Sequence, residues 1–278
     1  MITIQSAESA LKNIYLDSMA HDLNTKTNPL LTMLYGRKRT VQGKEARMSV
    51  RSDDGIVDLE RPLDNLYGTL QISGKAIRMA QNNAGAFASL LSAECKNLID
   101  TGKSGYNETL YKWLREQAEE TSVKITYDNL ENDIREYLDQ AQENGYEYDL
   151  IIMHPKLRRK LLDNLKDSRL RFEQCEIAGY FKGFTLDFTQ AYGDIKARVR
   201  ELNEETNEIE TVAWEIYFIN SNEMELQELC DWTWLCGDDG NILKQVDGKP
   251  MYQATLVKYA NIIAKPHSIA RAEIEVAK

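Results

Sequence analysis

No stretch of this 278-residue chain approaches the ~20 consecutive apolar residues that a membrane-crossing helix needs. The N-terminal MITIQSAESALKN lacks a charged segment leading into an apolar one, so no secretory signal is read there. Cysteine is scarce. Cys95, Cys175, Cys230 and Cys236 are irregularly spaced, which argues against a disulfide framework in so long a chain and for a reducing cytosol. Histidine is scarcer, and His21, His154 and His267 lie too far apart to test a Ser/His/Asp order. Internal repeats and low-complexity tracts are absent. With 42% hydrophobic and 28% charged residues the chain sits near globular averages, and its length supports one large domain or two smaller ones without disulfide or metal support.

A basic excess is also missing. The net charge of -10 argues against generic nucleic-acid binding through a basic face, though not against enclosing a polyanion that must be packed and released. The charge is uneven. Residues 1–51 hold eight Lys/Arg against four acids, a balance of +4, which leaves -14 for the rest. Between Glu201 and Cys230 there are nine glutamates and no Lys or Arg. A basic arm lying on an acidic neighbour fits this split, and so does an arm and a loop that are merely solvated.

Apolar spacing gives the element order. Ala7, Leu11, Ile14, Tyr15, Met19 and Leu23 share a helix face, and Asn28-Pro29 ends that helix, leaving a short arm to Gly43. Residues 44–51 read as a strand, Ser52-Asp53-Asp54-Gly55 as a turn, and 56–72 as an extended return broken at Pro62. Such a hairpin is marginal alone and needs a partner surface. A helix over about 82–100 is predicted from Phe87, Leu91, Cys95 and Leu98, with Gly102 as its stop. A second helix follows over 109–120, and 122–127 reads as extended. Leu130–Asn144 is an amphipathic helix ended by Asn144-Gly145. YDLIIM (148–153) is a buried-type strand, and Pro155 opens a helix. Short strands follow over 172–195. The last third is mostly β, with strands over 212–220, 222–235, 240–246 and 252–264, the last of mixed burial.

The chemical motifs fail on spacing. Gly102-Lys103-Ser104 imitates the end of a phosphate-binding loop, but Asn97 stands where a glycine is required, and the segment follows a helix. Cys230 and Cys236 fit no zinc knuckle and read as buried structural thiols. His154 before Pro155 reads as a turn or capping residue, and Arg158, Arg159 and Lys160 as a solvated helix face. Trp232 and Trp234 share one strand face and mark core or a protein interface. No catalytic residue, cofactor or metal site is predicted.

The segments LKNIYLDSMAHDLN, LYGTLQISGKAIRMAQNNAGAFASLL and LCDWTWLCGDDGNILKQVDGKPMYQATLVKYANIIAKP, taken in order, resemble stretches of siphophage major capsid proteins of the HK97-type fold. The resemblance implies an α+β chain with an N-terminal arm (1–40), an E-loop (41–72), a P-domain holding the spine helix (73–127) and strands (223–265), and an A-domain (128–222) to which 266–278 return. It implies a virion structural protein of tailed bacteriophages, made in the host bacterial cytoplasm. Such a protein forms hexamers and pentamers of an icosahedral shell around double-stranded DNA, without sequence-specific binding, cofactor or membrane. Portal and scaffolding proteins are the implied partners. The chain opens directly on the arm, which implies a separate scaffolding protein or none. An encapsulin-like cargo compartment of the same fold is the alternative, and an enzyme whose site escapes notice is a third. Arg37, Lys38, Arg39, Lys44, Arg47, Arg51, Asp53 and Asp54 are the candidate assembly residues. The self-crosslink of the type member maps onto no residue pair here, although Lys44 lies in the corresponding loop.

Overall fold

The computed structural model describes residues 3–52, 55–80, 83–154, 156–161, 185–187, 198–203 and 208–275. Along the chain run α1 (Ile4–Ala10), a π-helical turn (Leu11–Tyr15), α2 (Leu16–Thr25), α3 (Pro29–Tyr35), β1 (Arg39–Thr40), β2 (Glu45–Ser52), β3 (Gly55–Pro62) and β4 (Asp64–Ser73). Then come α4 (Gly74–Ala80), α5 (Ala84–Gln117), β5 (Glu119–Glu120), α6 (Leu130–Glu143), β6 (Leu150–Met153), β7 (Thr185–Asp187) and β8 (Arg198–Asn203). The chain closes with β9 (Glu208–Ile219), β10 (Met224–Trp234), β11 (Lys244–Gln245), β12 (Met251–Ala264) and β13 (Ile269–Glu275). Contacts divide it into two compact units, Met1–Thr109 with Leu226–Ile263, and Leu110–Glu225 with Ala264–Lys278.

The first unit is built on the sheet β1-β10-β12-β11, with β4 also paired to β12. The β4–β12 ladder is antiparallel and runs from Ser73↔Met251 to Asp64↔Ala260. Along β4 the pleat turns Leu66, Gly68, Leu70 and Ile72 inward and leaves Asn65, Tyr67, Thr69, Gln71 and Ser73 exposed. The spine helix α5 lies close on that inner face. A Cβ on Gly68 would stand 3.3 Å from Leu98 Cγ, so glycine admits the helix. The expected stripe of Phe87, Leu91, Cys95 and Leu98 is buried. Burial also pushes the Cys95 thiol up to about 12, which removes it from thiolate chemistry.

The helix does not stop at Gly102. It runs 34 residues, taking in the segment expected as a separate helix, and Gly102-Lys103-Ser104 lies inside it. The glycine has another reason: a Cβ there would fall 2.9 Å from Leu23 Cδ2 of α2, so it is a close-approach site for the N-terminal helices. Gly105, one turn on, faces open space. The two glycines therefore predict opposite outcomes. Gly105→Ala raises stability by ~0.5–1 kcal/mol by removing a helix-interior glycine. Gly102→Leu lowers it by ~1–3 kcal/mol through overpacking against buried Leu23. Urea titrations of both variants check this, and equal responses would remove the close-approach argument.

The N-terminal segment is more helical than expected. Asn28-Pro29 ends one helix and starts the next: the Asn28 side chain accepts from Leu30 N, and Pro29 occupies the first helical turn of α3. Asn28 Nδ2 also donates to Asn107 Oδ1 of the spine helix at 3.1 Å. Trp232 and Trp234 on β10 are both buried beneath these helices, and their indole N–H groups donate to Asn24 Oδ1 and to the Leu11 carbonyl. Tyr106 of the spine meets Trp232 edge-on, with centroids 5.9 Å apart.

The second unit carries the sheet β5-β13-β9-β6-β7, with β8 also on β9. Trp214, Ile216 and Phe218 of β9 join Ile134, Tyr137 and Leu138 of α6 in its core. The next residues along β9 face the other way, where Glu215, fully buried, is held by Arg115 at 2.8 Å and Arg271 at 3.1 Å. His154 stacks on Trp214, and its Nδ1 accepts from Lys156 N at 3.2 Å, a turn role. The segment 122–127, expected as extended, forms no strand; the short strand is β5, just before it. Of 240–246 only Lys244–Gln245 forms a strand; the rest is bent or irregular chain between turns at 238–239 and 247–248. Most of the short strands expected over 172–195 lie outside the described residues, apart from β7.

Candidate functional site

Two features of the first unit contain most of the candidate residues. The first is the arm. α3 ends at Gly36, and the chain continues through Arg37-Lys38-Arg39 into β1, which pairs in parallel with β10 at Gln227 and Glu228. Arg37 and Arg39 are exposed. Lys38 is turned inward instead. Its ammonium lies 2.6 Å from Glu228 Oε1 and 2.7 Å from Asp231 Oδ2, so it is engaged within its own chain.

Behind Lys38 is a charge cluster. Lys258 of β12 is fully buried, 0% exposed, between Glu228 Oε2 at 2.6 Å, Asp231 Oδ1 at 3.3 Å and Asn24 Oδ1 at 2.9 Å. Tyr35 donates to Asp231 Oδ2 at 2.8 Å, and Asn24 Nδ2 to Oδ1 at 2.9 Å. Two ammonium groups thus face two carboxylates, and the cluster is neutral. Burial alone would raise Asp231. The Lys258 charge and hydrogen bonds from Lys38, Asn24 and Tyr35 outweigh it and hold the carboxyl far below its usual range. Burial opposes the charge of Lys38 too, yet its bonds to Asp231 and Glu228 raise it above an ordinary lysine. Both shifts move Asp231 and Lys38 away from neutrality, and the bonds of the cluster fasten the arm to the sheet.

The second feature is the hairpin β2–β3, a two-stranded sheet of its own. Its register runs from Glu45↔Pro62 to Ser52↔Gly55. Opposed residues share a face, so the ribbon is two-sided. One face carries Met48, Val50, Val57 and Leu59. The other carries Arg47 paired with Glu60 at 3.2 Å, Ser49 donating to Asp58 at 2.6 Å, and Arg51. Ile56, opposite Arg51 on this second face, is largely exposed, and Val57 on the first is half exposed. At the base, Gln227 and Asn261 side chains bond the backbone of Arg47 and Pro62. Lys44, Arg47 and Arg51 are exposed, and Asp53 and Asp54 lie outside the described residues. The structure therefore gathers Arg39, Lys44 and Arg47 around an open notch of about 340 Å³ at the hairpin base. Arg37 and Arg51 do not line it.

Among the described residues there is no group of three or more His, Cys, Asp or Glu side chains placed to hold a metal ion. A roomier depression of about 700 Å³ is lined by Thr3, Lys75, Arg78, Met79 and Tyr252 among others, with no carboxylate, histidine or cysteine in its wall. No described helix is long and apolar enough to cross a membrane. The sequence missed the Lys258 cluster and the two amide clamps because their members are far apart along the chain. The one visible signal was a lysine inside the apolar strand YQATLVKYANIIA.

No protein-family profile matches the chain, and no curated protein matches it. Solved structures do. A virus-like particle from Pyrococcus furiosus aligns with a TM-score of 0.52 at 12% identity, covering 92% of this chain and 96% of that one. The holo-SrpI encapsulin complex from Synechococcus elongatus PCC 7942 aligns at 0.50 and 12% identity, covering 88% and 89%. The capsid of Myoviridae phage XM1 aligns at 0.45 and 10% identity, covering 83% of each chain. With its projecting hairpin, spine helix and two mixed units, the chain has the HK97-type capsid fold.

Proposed function

We propose that the chain is a shell-forming subunit without catalytic activity. It builds hexamers and pentamers of an icosahedral phage head that encloses double-stranded DNA. The observation that carries this reading is the hairpin: a two-stranded ribbon held at its base, with Met48, Val50, Val57 and Leu59 on one face and Ile56 exposed on the other, is made to lie on another surface. The sequence resemblance to siphophage capsid proteins favours DNA as the content, and portal and scaffolding proteins as further partners. On this reading residues 1–40 are the arm, 41–72 the E-loop, 73–127 and 223–265 the P-domain, and 128–222 with 266–278 the A-domain. Electron microscopy of the purified protein tests the shell. Closed particles or capsomers are expected, and small oligomers at every protein and salt concentration would refute it. Nuclease-resistant DNA inside particles from infected cells is expected; a packaged protein in its place would mark an encapsulin-like compartment.

The exposed cations Arg37 and Arg39 contact acidic surface of an adjacent subunit. Charge on a rim speeds encounter more than it holds the product. Reversing both to glutamate, with Lys38 left in its internal cluster, slows assembly several-fold at low salt and less at high salt, where screening is stronger. Equal assembly rates for native and reversed chains across salt, followed by light scattering, would remove this contact.

A further inference from the structure

We propose that Gln227 is the mount that sets the direction in which the β2–β3 hairpin leaves the sheet. The inference rests on the shell reading for its consequence and on geometry for its cause. Among the described residues the hairpin shares no ladder with the other sheets. The chain enters it from β1, turns at Gly43 with φ of +151°, a backbone region that suits glycine, and leaves it through Leu63. Direction has to come from somewhere other than strand pairing.

Gln227 supplies it. The residue is on β10, opposite Arg39 of β1, and is 0% exposed. Its Oε1 accepts from Arg47 N at 2.8 Å, and its Nε2 donates to the Arg47 carbonyl at 2.8 Å. In an antiparallel pair, a residue's N–H and C=O point to the same side. Those of Arg47 are turned away from β3, toward the edge where a further strand would pair. The amide of Gln227 therefore stands in for one residue of an absent strand. Two bonds to one residue fix orientation as well as distance. On β3, Asn261 Nδ2 donates to the Pro62 carbonyl at 2.7 Å, and Leu63 N donates to the Lys44 carbonyl at 2.9 Å. One amide clamp thus holds each strand. The notch of about 340 Å³ lined by Arg39, Lys44, Arg47 and Gln227 leaves one side of this mount unpacked. Bonds, more than packing, hold the angle there.

In a shell whose subunits meet through the hairpin, that angle sets the inclination between neighbours, and so the curvature. Gln227 is a positioning residue. Hydrogen exchange on the unassembled full-length chain tests the mount. In Gln227→Ala the Arg47 amide exchanges about tenfold faster or more, while amides of the β4–β12 ladder keep their protection. Gln227→Asn keeps both bonding groups one methylene short and guards against a folding failure of the alanine variant; it too speeds exchange at Arg47. Particle diameter tests the consequence, since a merely structural residue would change yield and leave size alone. Both variants form shells of shifted or broadened diameter. Unchanged exchange at Arg47 in both variants overturns the mount. Faster exchange with native particle diameters overturns the link to curvature. If the native chain forms no shell, the shell reading fails and takes the curvature link with it, while exchange at Arg47 still decides the mount.

Discussion

Replacing residues 49–58 with Asn-Gly yields a chain that folds normally and no longer closes into shells. The trimmed hairpin keeps the rungs at its base, including Arg47↔Glu60, and ends on Met48↔Leu59. That pair has the same parity as Ser52↔Gly55, which closes the native turn, so a two-residue loop fits it. The Gln227 and Asn261 bonds are untouched. What disappears is the outer ribbon, with Val50 and Val57 on one face and Ser49, Asp58, Arg51 and the exposed Ile56 on the other. None of these belongs to the fully buried core, so the thermal transition moves little. Sedimentation and electron microscopy show soluble subunits or capsomers in place of particles. Normal shells from the trimmed chain would mean that the hairpin is ornamental and that other surfaces close the shell.

Lys258→Ala has the largest expected effect on folding. It removes one of two cations facing Glu228 and Asp231, and it does so at the most enclosed point of the cluster. Breaking a buried pair from one side costs ~3–5 kcal/mol, because the surviving charge stays buried and uncompensated. Against a total stability of ~5–15 kcal/mol, that is a shift easily read in a urea titration. Lys258→Met combined with Glu228→Gln removes one charge of each sign and restores much of the loss. Acid reads the same cluster. Asp231 is held below its ordinary value of 3.8, so its contribution is full above that pH and disappears as pH falls beneath it. Without Lys258 the depression shrinks, and less stability is left for acid to remove. A single variant within ~1 kcal/mol of the native chain would show that the cluster is solvated and that Lys38 alone suffices.

Where local pattern and packing agree, the sequence was legible. Ile134, Tyr137, Leu138 and Ala141 announced α6, and all are buried. The spine stripe was read correctly as inward-facing. Trp232 and Trp234, read as core or interface, are core, whereas Cys230 and Cys236, expected to be buried, are half-buried and exposed, the latter beyond the end of β10. Two signals were read with the wrong sense. Gly102 is a contact point with Leu23, and a glycine required by a neighbour looks the same in sequence as one that ends a helix. Asn28-Pro29 was taken as a stop, although asparagine as cap and proline in the first turn are equally a start. Arg37, Lys38 and Arg39 were read together as facing an adjacent subunit. Lys38 is turned inward where Arg37 and Arg39 are exposed, and its partners Glu228 and Asp231 lie some 190 residues away. Nothing local marks such a partner.

The order of strands has a consequence during synthesis. The first unit needs β10 and β12, and in the second unit β13 is inserted between β5 and β9. Neither unit has its full sheet until the ribosome has passed residue 263 for the first and most of Ile269–Glu275 for the second. The hairpin and its exposed apolar residues are made within the first quarter of the chain. A nascent chain thus carries its hairpin long before it owns the strands bearing Gln227 and Asn261, whose side chains bond the hairpin's base. On the proposed shell reading, neighbouring chains on one messenger would meet before their hairpins are aimed.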